Sequence, residues 1–127
     1  MNALSGKRVL VVEDEAMIAD MAEDMLSQLG AVVIGPVGTL AKGLELARSE
    51  VLDAAMLDVN IRSERIDPVV EVLRARAVPF VFATGYGDAI GAAMAGVDIL
   101  EKPFTQDRIK NALLNALQRR AQPGGQA

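Results

Sequence analysis

The sequence predicts an α/β fold: a doubly wound, five-stranded parallel sheet in the order 2-1-3-4-5, with helices on both faces. Short apolar runs of strand length alternate with segments whose apolar residues recur at helical spacing, as in β-α repeats around a parallel sheet. The strand-like runs are apolar throughout rather than alternating, as expected of strands covered on both faces. Right-handed crossovers then favour three layers, with ligands bound where strands one and three meet.

A single domain is predicted over residues 5–121, followed by a flexible tail over 122–127. The length of 127 residues fits one domain of ordinary size. The chain ends in Pro-Gly-Gly-Gln-Ala, a composition typical of flexible segments. The five predicted strands cover residues 8–12, 32–37, 54–57, 80–83 and 99–101.

Capping residues predict where the helices begin and end. Gly30 is expected to end the first helix, and Thr39 to cap the second. Pro68 suits the first turn of the third, and Thr105 can cap the last. The apolar residues at helical spacing are, helix by helix, Ile18, Ala22, Met25 and Leu29; Leu40, Leu44 and Ala47; Val69, Val72 and Leu73; and Ile109, Leu113, Ala116 and Leu117.

The fourth helix is predicted to be the weakest. Its segment, residues 85–96, reads GYGDAIGAAMAG and contains four glycines. Each interior glycine costs roughly 1 kcal/mol of helix stability relative to alanine. We therefore expect this helix to be short or mobile in the protein without ligand.

Composition excludes several kinds of functional site. The chain has no cysteine and no histidine, so it has no disulfide, no Ser-His-Asp triad and no thiolate or imidazole metal ligand. Any metal must be held by oxygen atoms, which points to magnesium, calcium or manganese. The net charge of −4 argues against nucleic acid or an anionic membrane as partner. With no signal peptide and no apolar run long enough to span a bilayer, a cytoplasmic location is expected.

Polar residues follow the apolar runs where the predicted strands end. Glu13 and Asp14 follow the first strand, and Asp58 follows the third. Thr84 and Lys102 follow the fourth and fifth. In the predicted strand order the three carboxylates meet in one crevice, where they repel one another and resist desolvation.

A divalent cation would remove that conflict, and magnesium suits it because it prefers carboxylate, water and phosphate oxygens. The alternative is that each residue only caps a helix. Asp14 could do so for a helix that starts near Glu15.

Four short stretches together carry a family resemblance: "VLVVEDE", "MLDVN", "FATG" and "EKPF". With them the chain resembles, over nearly its whole length, the receiver domain of two-component response regulators, whose fold is a flavodoxin-like three-layer sandwich. The resemblance implies that Asp58 is the phosphoacceptor, Thr84 the switch hydroxyl and Lys102 the charged partner of the phosphate. It also implies a cis peptide between Lys102 and Pro103.

The same resemblance implies a Mg²⁺ cofactor. Asp14 and Asp58 would bind the ion, Glu13 would act mainly through a water molecule, and the backbone carbonyl of Asn60 would be a further ligand. The phosphoryl donor would be a sensor histidine kinase or a histidine phosphotransfer protein, since this chain has no histidine. The chain would signal through protein contacts, or act as a phosphate shuttle or sink, rather than work as an enzyme on a separate substrate.

Two positions suggest a subclass. Receivers usually carry Tyr or Phe three residues before the lysine, a ring that turns inward on activation, but Ile99 stands there in this sequence. Tyr86 instead follows Thr84 within "PFVFATGYG". That stretch resembles the "FAT GUY" single-domain receivers, so Thr84, Tyr86 and Ile99 are the residues expected to govern the switch and its output.

Three other functions fit parts of the sequence. A nucleotide-binding fold is suggested by Gly85, Gly87 and Gly91, but the dinucleotide motif needs glycine where Ile90 stands, and it belongs after the first strand. A receiver-like binding module that is never phosphorylated would not require the full set of strand-end residues. A magnesium-dependent aspartyl-phosphate phosphatase would need a cap or longer loops to define its substrate.

Overall fold

The computed structural model describes residues 3–84, 99–102 and 104–120. The strands in these ranges are β1 (Arg8–Val12), β2 (Val32–Val37), β3 (Ala54–Asp58), β4 (Asn60–Ile61), β5 (Glu64–Arg65), β6 (Phe80–Thr84) and β7 (Ile99–Glu101). The helices are α1 (Ala16–Gln28), α2 (Leu40–Ser49), α3 (Asp67–Ala75) and α4 (Gln106–Arg120).

Five strands form one parallel sheet in the order β2-β1-β3-β6-β7. Because β4 and β5 pair only with each other, this is the predicted order 2-1-3-4-5, and the predicted fold class is confirmed. The third and fourth predicted strands each extend one residue further, to Asp58 and Thr84. Asp58 and Thr84 are therefore the last residues of their strands, and the sheet fixes their backbone at its carboxyl edge.

The sheet separates two apolar cores. Val9 and Val11 face one core, together with buried residues of α1 and α4. Leu10 and Val12 face the other, together with buried residues of α2 and α3. Successive residues of a strand point to opposite faces. A strand covered on both sides must therefore be apolar at every position, which explains the uninterrupted runs in the sequence.

The predicted helix boundaries are found in the structure. The Thr39 hydroxyl accepts a hydrogen bond from the backbone N–H of Lys42 at 3.2 Å, and the Thr105 hydroxyl does the same for Arg108 at 3.2 Å. Pro68 lies in the first turn of α3. Most residues of the predicted apolar stripes are buried, while Ile18, Met25, Leu40, Leu44, Val72 and Leu117 are only partly buried at the edges of the two cores.

Several sequence predictions lie outside the described residues. They concern the glycine-rich helix predicted over residues 85–96, Tyr86, the Lys102–Pro103 peptide and the tail. The structure has a cis peptide between Gly35 and Pro36. Leu4, one residue before the predicted domain start, is fully buried in the α1–α4 core. No helix in the described part of the chain is long and apolar enough to cross a membrane.

A small hairpin that the sequence did not predict follows β3. Its strands β4 and β5 pair antiparallel, Asn60 with Arg65 and Ile61 with Glu64. The two turn residues, Arg62 and Ser63, have positive φ angles of 50° and 69°. Ile61 is fully buried, so the hairpin is anchored in the core and reaches back over the carboxyl edge of the sheet.

Candidate functional site

Three carboxylates converge beyond the adjacent strands β1 and β3. Glu13 follows β1, where its backbone N–H donates to the carbonyl of Val37 at 2.9 Å. Asp58 is the last residue of β3. Both are 5% exposed, and Asp14 is partly buried beside them. One carboxylate oxygen from each of the three lies within 4.8 Å of the other two, so the site concentrates negative charge in little space.

Lys102 reaches this cluster from the end of β7, the strand at the opposite edge of the sheet from β2. Its backbone N–H donates to the carbonyl of Thr84 at 3.0 Å, which fixes the residue directly after β7. Its Nζ lies 2.7 Å from Glu13 Oε1 and 2.9 Å from Asp58 Oδ2. Glu15 Oε1 is a third partner at 3.4 Å. One ammonium group is thus shared among carboxylates from the β1–α1 loop and β3.

Burial sets the protonation behaviour of the site. It raises the pKa of Glu13 from 4.5 to about 7, although hydrogen bonds from Lys102 and from the backbone N–H of Glu15 pull that pKa down. Burial alone would lower the pKa of Lys102, but its hydrogen bonds to Glu13 and Asp58 outweigh that effect and raise it. Lys102 therefore stays charged at neutral pH, while Glu13 ionises less readily than an ordinary carboxyl group.

The hairpin completes the site. The backbone N–H of Asn60 donates to Asp58 Oδ1 at 3.2 Å, and that of Arg62 donates to Asp14 Oδ2 at 3.0 Å. The Arg62 guanidinium Nε donates to the carbonyl of Gly38, after β2, at 3.1 Å. Loops that follow β1, β2 and β3 are therefore tied together around the carboxylates.

The donor set fits a magnesium ion. The three carboxylates supply the hard oxygen atoms that Mg²⁺ prefers. One nearby ammonium offsets only part of their charge, and burial, with a smaller contribution from the Asp58 charge, raises the pKa of Glu13. The helix-capping alternative for Asp14 is wrong, because α1 begins after Glu15 without a side-chain cap and Asp14 accepts from Arg62 instead.

The remaining predicted site residues lie along the same edge or next to it. Thr84 ends β6 and is 5% exposed. Asn60 begins β4. Ile99 lies on β7 with 45% of its surface exposed, and Tyr86 is outside the described residues. The individual roles that the family resemblance implies for these residues stay predictions.

Two contacts in the site were missed from the sequence. Glu15 is the third acidic residue after β1, and the run of three acids was the available signal for its contact with Lys102. Arg62 gave no signal, because two-residue hairpin turns are recognised by Asn-Gly or Asp-Gly pairs and this turn is Arg-Ser.

The family model for the response regulator receiver domain matches residues 9–114. The chain belongs to this family. Receiver domains are signalling domains of two-component systems that bind Mg²⁺ at an acidic pocket and interact with histidine kinases or phosphotransfer proteins. The carboxylate cluster of this receiver domain lies where that pocket is expected, at the switch point of the sheet.

Solved structures and curated relatives agree with this membership. The solution structure of SdrG from Sphingomonas melonis Fr1 has 44% sequence identity and a TM-score of 0.81, and the match covers 93% of this chain and 99% of SdrG. The BeF3-activated conformation of SdrG from Pseudomonas melonis Fr1 is 42% identical, covers 89% and 98% of the two chains, and has a TM-score of 0.75. The transcriptional regulatory protein PdtaR of Mycobacterium tuberculosis is 32% identical over 104 residues, 78% of this chain and 51% of PdtaR. The chain therefore spans about half the length of that relative.

Proposed function

We propose that the protein is a single-domain response regulator that accepts a phosphoryl group on Asp58 from a phosphohistidine partner in a magnesium-dependent reaction. The observation that carries the proposal is the environment of Asp58. Its two carboxylate oxygens accept hydrogen bonds from Lys102 and Asn60, and one carboxylate oxygen from each of Glu13 and Asp14 lies within 4.8 Å of an oxygen of Asp58. The 44% identity to SdrG supports a receiver that signals through phosphorylation.

In this reaction an oxygen of Asp58 attacks phosphorus in line with the leaving imidazole. An O–P bond forms, the P–N bond of the phosphohistidine breaks, and its electron pair leaves with the imidazole. The contacts from Lys102 and from the Asn60 N–H hold the carboxylate in one orientation for this attack. The Lys102 ammonium also offsets the charge that the transferred group brings.

Asp14, Asp58 and the carbonyl of Asn60 would hold the magnesium ion, with Glu13 acting through a water molecule. When bound, the ion would neutralise charge between the nucleophile and the phosphoryl group. Hydrolysis of the acyl phosphate by water would later return Asp58 to its carboxylate form.

The rest of the proposal concerns context. Residues 5–121 would form the receiver domain and 122–127 a tail. The protein would work in the cytoplasm, receive phosphate from a sensor histidine kinase or a histidine phosphotransfer protein, and signal through protein contacts or act as a phosphate shuttle or sink. Its net charge of −4 supports protein partners over nucleic acid or an anionic membrane.

The test is phosphorylation by acetyl phosphate with Mg²⁺, read by intact mass. We expect one phosphoryl adduct on the wild type and none on Asp58→Ala. Asp24→Ala, which removes an exposed carboxylate of α1, is the matched control and should gain the adduct. EDTA should abolish the adduct on the wild type.

Two outcomes would contradict the proposal. One is an adduct on Asp58→Ala equal to that of the wild type. The other is a wild type that neither gains an adduct nor changes its amide NMR spectrum with beryllofluoride, which mimics a phosphoryl group. The second outcome would favour the binding module that is never phosphorylated.

A further inference from the structure

Arg62 makes two contacts that join separate loops at the rim of the site. Its backbone N–H donates to Asp14 Oδ2 at 3.0 Å, and its Nε donates to the carbonyl of Gly38 at 3.1 Å. Gly38 itself lies against the first of these loops, because a Cβ added there would be 3.5 Å from the Asp14 Cα and the Glu13 carbonyl oxygen. Arg62 is therefore connected to Asp14 both directly and through Gly38.

The backbone of Arg62 makes these contacts in an unusual conformation. Its φ of 50° and that of Ser63, 69°, fall in the left-handed region, which is unfavourable for residues with a Cβ. Two-residue hairpin turns of this kind normally contain Asn, Asp or Gly. A non-glycine residue keeps such a conformation when surrounding contacts determine it. Within the described residues, Arg62 has hydrogen bonds to Asp14 and Gly38 that can do so.

The direction of these contacts suggests their purpose. Asp14 is only partly buried, so its carboxylate would rotate more freely than the buried side chains of Glu13 and Asp58. A hydrogen bond to one oxygen of a ligating carboxylate fixes its rotation, and the loss of such a partner typically weakens metal binding 10–100-fold. The N–H of Arg62 is placed to do this as long as the hairpin is held in position.

We propose that Arg62 is a positioning residue for the divalent cation site: its guanidinium fastens the hairpin to Gly38, and its backbone N–H thereby orients Asp14 toward Glu13 and Asp58. The inference rests on the proposed function, because it concerns the magnesium site of the same reaction. It adds a residue that does not touch the cation and yet sets its affinity.

The sign of the effect separates positioning from simple charge. The Arg62 guanidinium is a cation beside a cation site, so its removal should strengthen Mg²⁺ binding if charge alone matters. Removal should weaken Mg²⁺ binding if Arg62 orients Asp14. The two explanations thus predict opposite changes in the dissociation constant.

The experiment is calorimetric titration of Mg²⁺ into the wild type and four variants. We expect Arg62→Gly to bind Mg²⁺ roughly 10-fold more weakly than the wild type. Glycine tolerates the positive φ of this turn, so the metal-free variant should remain folded, as circular dichroism can check. Arg62→Lys can still donate to Gly38 and should recover most of the affinity. Ser63→Gly relieves the same turn, and Arg65→Ala removes a hairpin cation that pairs with Asp67 at 3.2 Å; neither should weaken binding.

The proposal is overturned if Arg62→Gly binds Mg²⁺ as tightly as the wild type or more tightly. It is also overturned if Ser63→Gly or Arg65→Ala loses as much affinity as Arg62→Gly. At saturating Mg²⁺, Arg62→Gly should still gain a phosphoryl adduct on Asp58. Failure of the wild type to gain that adduct would count against the proposed function, while the ranking of Mg²⁺ affinities tests Arg62 separately.

Discussion

One side chain, Lys102, offsets part of the negative charge of the site. Its side chain is 8% exposed, and its ammonium contacts Glu13 and Asp58, whose side chains are 4% and 7% exposed. Charges so far from water are stable only when paired. Because Lys102 is shared among several carboxylates, the site without metal carries excess negative charge. The stability of the metal-free protein therefore depends on Lys102.

We therefore predict that Lys102→Ala lowers the free energy of unfolding by about 3 kcal/mol in EDTA, since it leaves two buried carboxylates unpaired. The loss should be smaller in Mg²⁺, which can replace the missing charge and stabilises the folded state by binding it. Urea unfolding followed by circular dichroism measures both. Lys110→Ala is the control, because its exposed pair with Asp107 at 3.7 Å is worth well under 1 kcal/mol; an equal loss in EDTA and Mg²⁺ for Lys102→Ala would contradict the prediction.

The protonation of Glu13 predicts a pH dependence in the absence of metal. Burial raises its pKa from 4.5 to about 7, so the folded state binds this proton more tightly than the unfolded chain. The stability that results is present below pH 4.5 and is lost as the pH rises through about 7.

In EDTA, the wild type should therefore lose stability relative to Glu13→Gln across this pH range. Urea unfolding of both proteins at several pH values measures the difference. The free energy of unfolding of the wild type minus that of Glu13→Gln should fall with pH. If it stays constant or increases instead, Glu13 is ionised throughout the range.

Sequence and structure agree for residues whose position follows from the sheet. The acidic residues after β1 and β3 had to meet once the strand order was known, because parallel strands end at one edge. The contacts of Arg62 could not be predicted, because they depend on the Arg62-Ser63 turn, which lacks the Asn-Gly or Asp-Gly pair typical of two-residue hairpins. Contacts set by sheet topology were readable from the sequence, whereas those set by local backbone strain were not.

Among the elements, the end of β2 helps to position Glu13, the first acidic residue of the site. The pairing of β1 with β2 shifts register between Leu10 and Val12, and Gly35 lies opposite this shift with a φ of 101°. A Cβ there would lie 2.9 Å from the nitrogen of Val37 and 3.0 Å from the carbonyl oxygen of Val11. Val37 in turn accepts the backbone N–H of Glu13, so the irregularity in β2 is coupled to a site carboxylate.

Gly35→Ala should accordingly destabilise the protein by about 2 kcal/mol or more, from the left-handed backbone and the steric clash together. It should also weaken Mg²⁺ binding, because Val37 must shift. Gly6→Ala provides the comparison: it has a φ of 76° but no atom within 4 Å of the added Cβ, so it should cost only about 1 kcal/mol. Equal losses in thermal or urea unfolding would exclude the steric contribution.

Elements were predicted best where periodicity and caps coincide. The sheet strands and the Thr39 and Thr105 caps were found as predicted because apolar runs and N-cap hydroxyls are strong local signals. The β4–β5 hairpin was missed because each of its strands has only two residues. Strands that short have no periodicity to detect.

On the scale of the whole molecule, the site connects the central strands to the β6–β7 side of the sheet. The Lys102 side chain contacts the carboxylates of Glu13, after β1, and Asp58, at the end of β3, and its backbone N–H donates to the carbonyl of Thr84 at the end of β6. A change of charge at Asp58 therefore acts on a residue that belongs to the β6–β7 pair. These contacts form a direct route from Asp58 to the proposed switch residue Thr84.

We predict that Thr84→Ala is phosphorylated on Asp58 nearly as well as the wild type but transmits the change poorly. Without the hydroxyl, nothing at position 84 can turn toward the phosphoryl oxygens. Beryllofluoride should then cause smaller amide NMR shifts at Glu101 and Lys102 than in the wild type. Thr39→Ala, which removes the cap of α2, should keep the wild-type shifts; unchanged shifts in Thr84→Ala would contradict the switch role.

The outer position of β2 has one more consequence, for self-association. An edge strand offers free N–H and C=O groups to which another chain can add, and Val32 on β2 is 44% exposed. Pro36 has no N–H to offer, and it lies within the register shift of β2, where such an irregularity bends the edge away from a flat template. The strand thus carries its own protection against intermolecular β-pairing, at the point where it turns toward the carboxylate site.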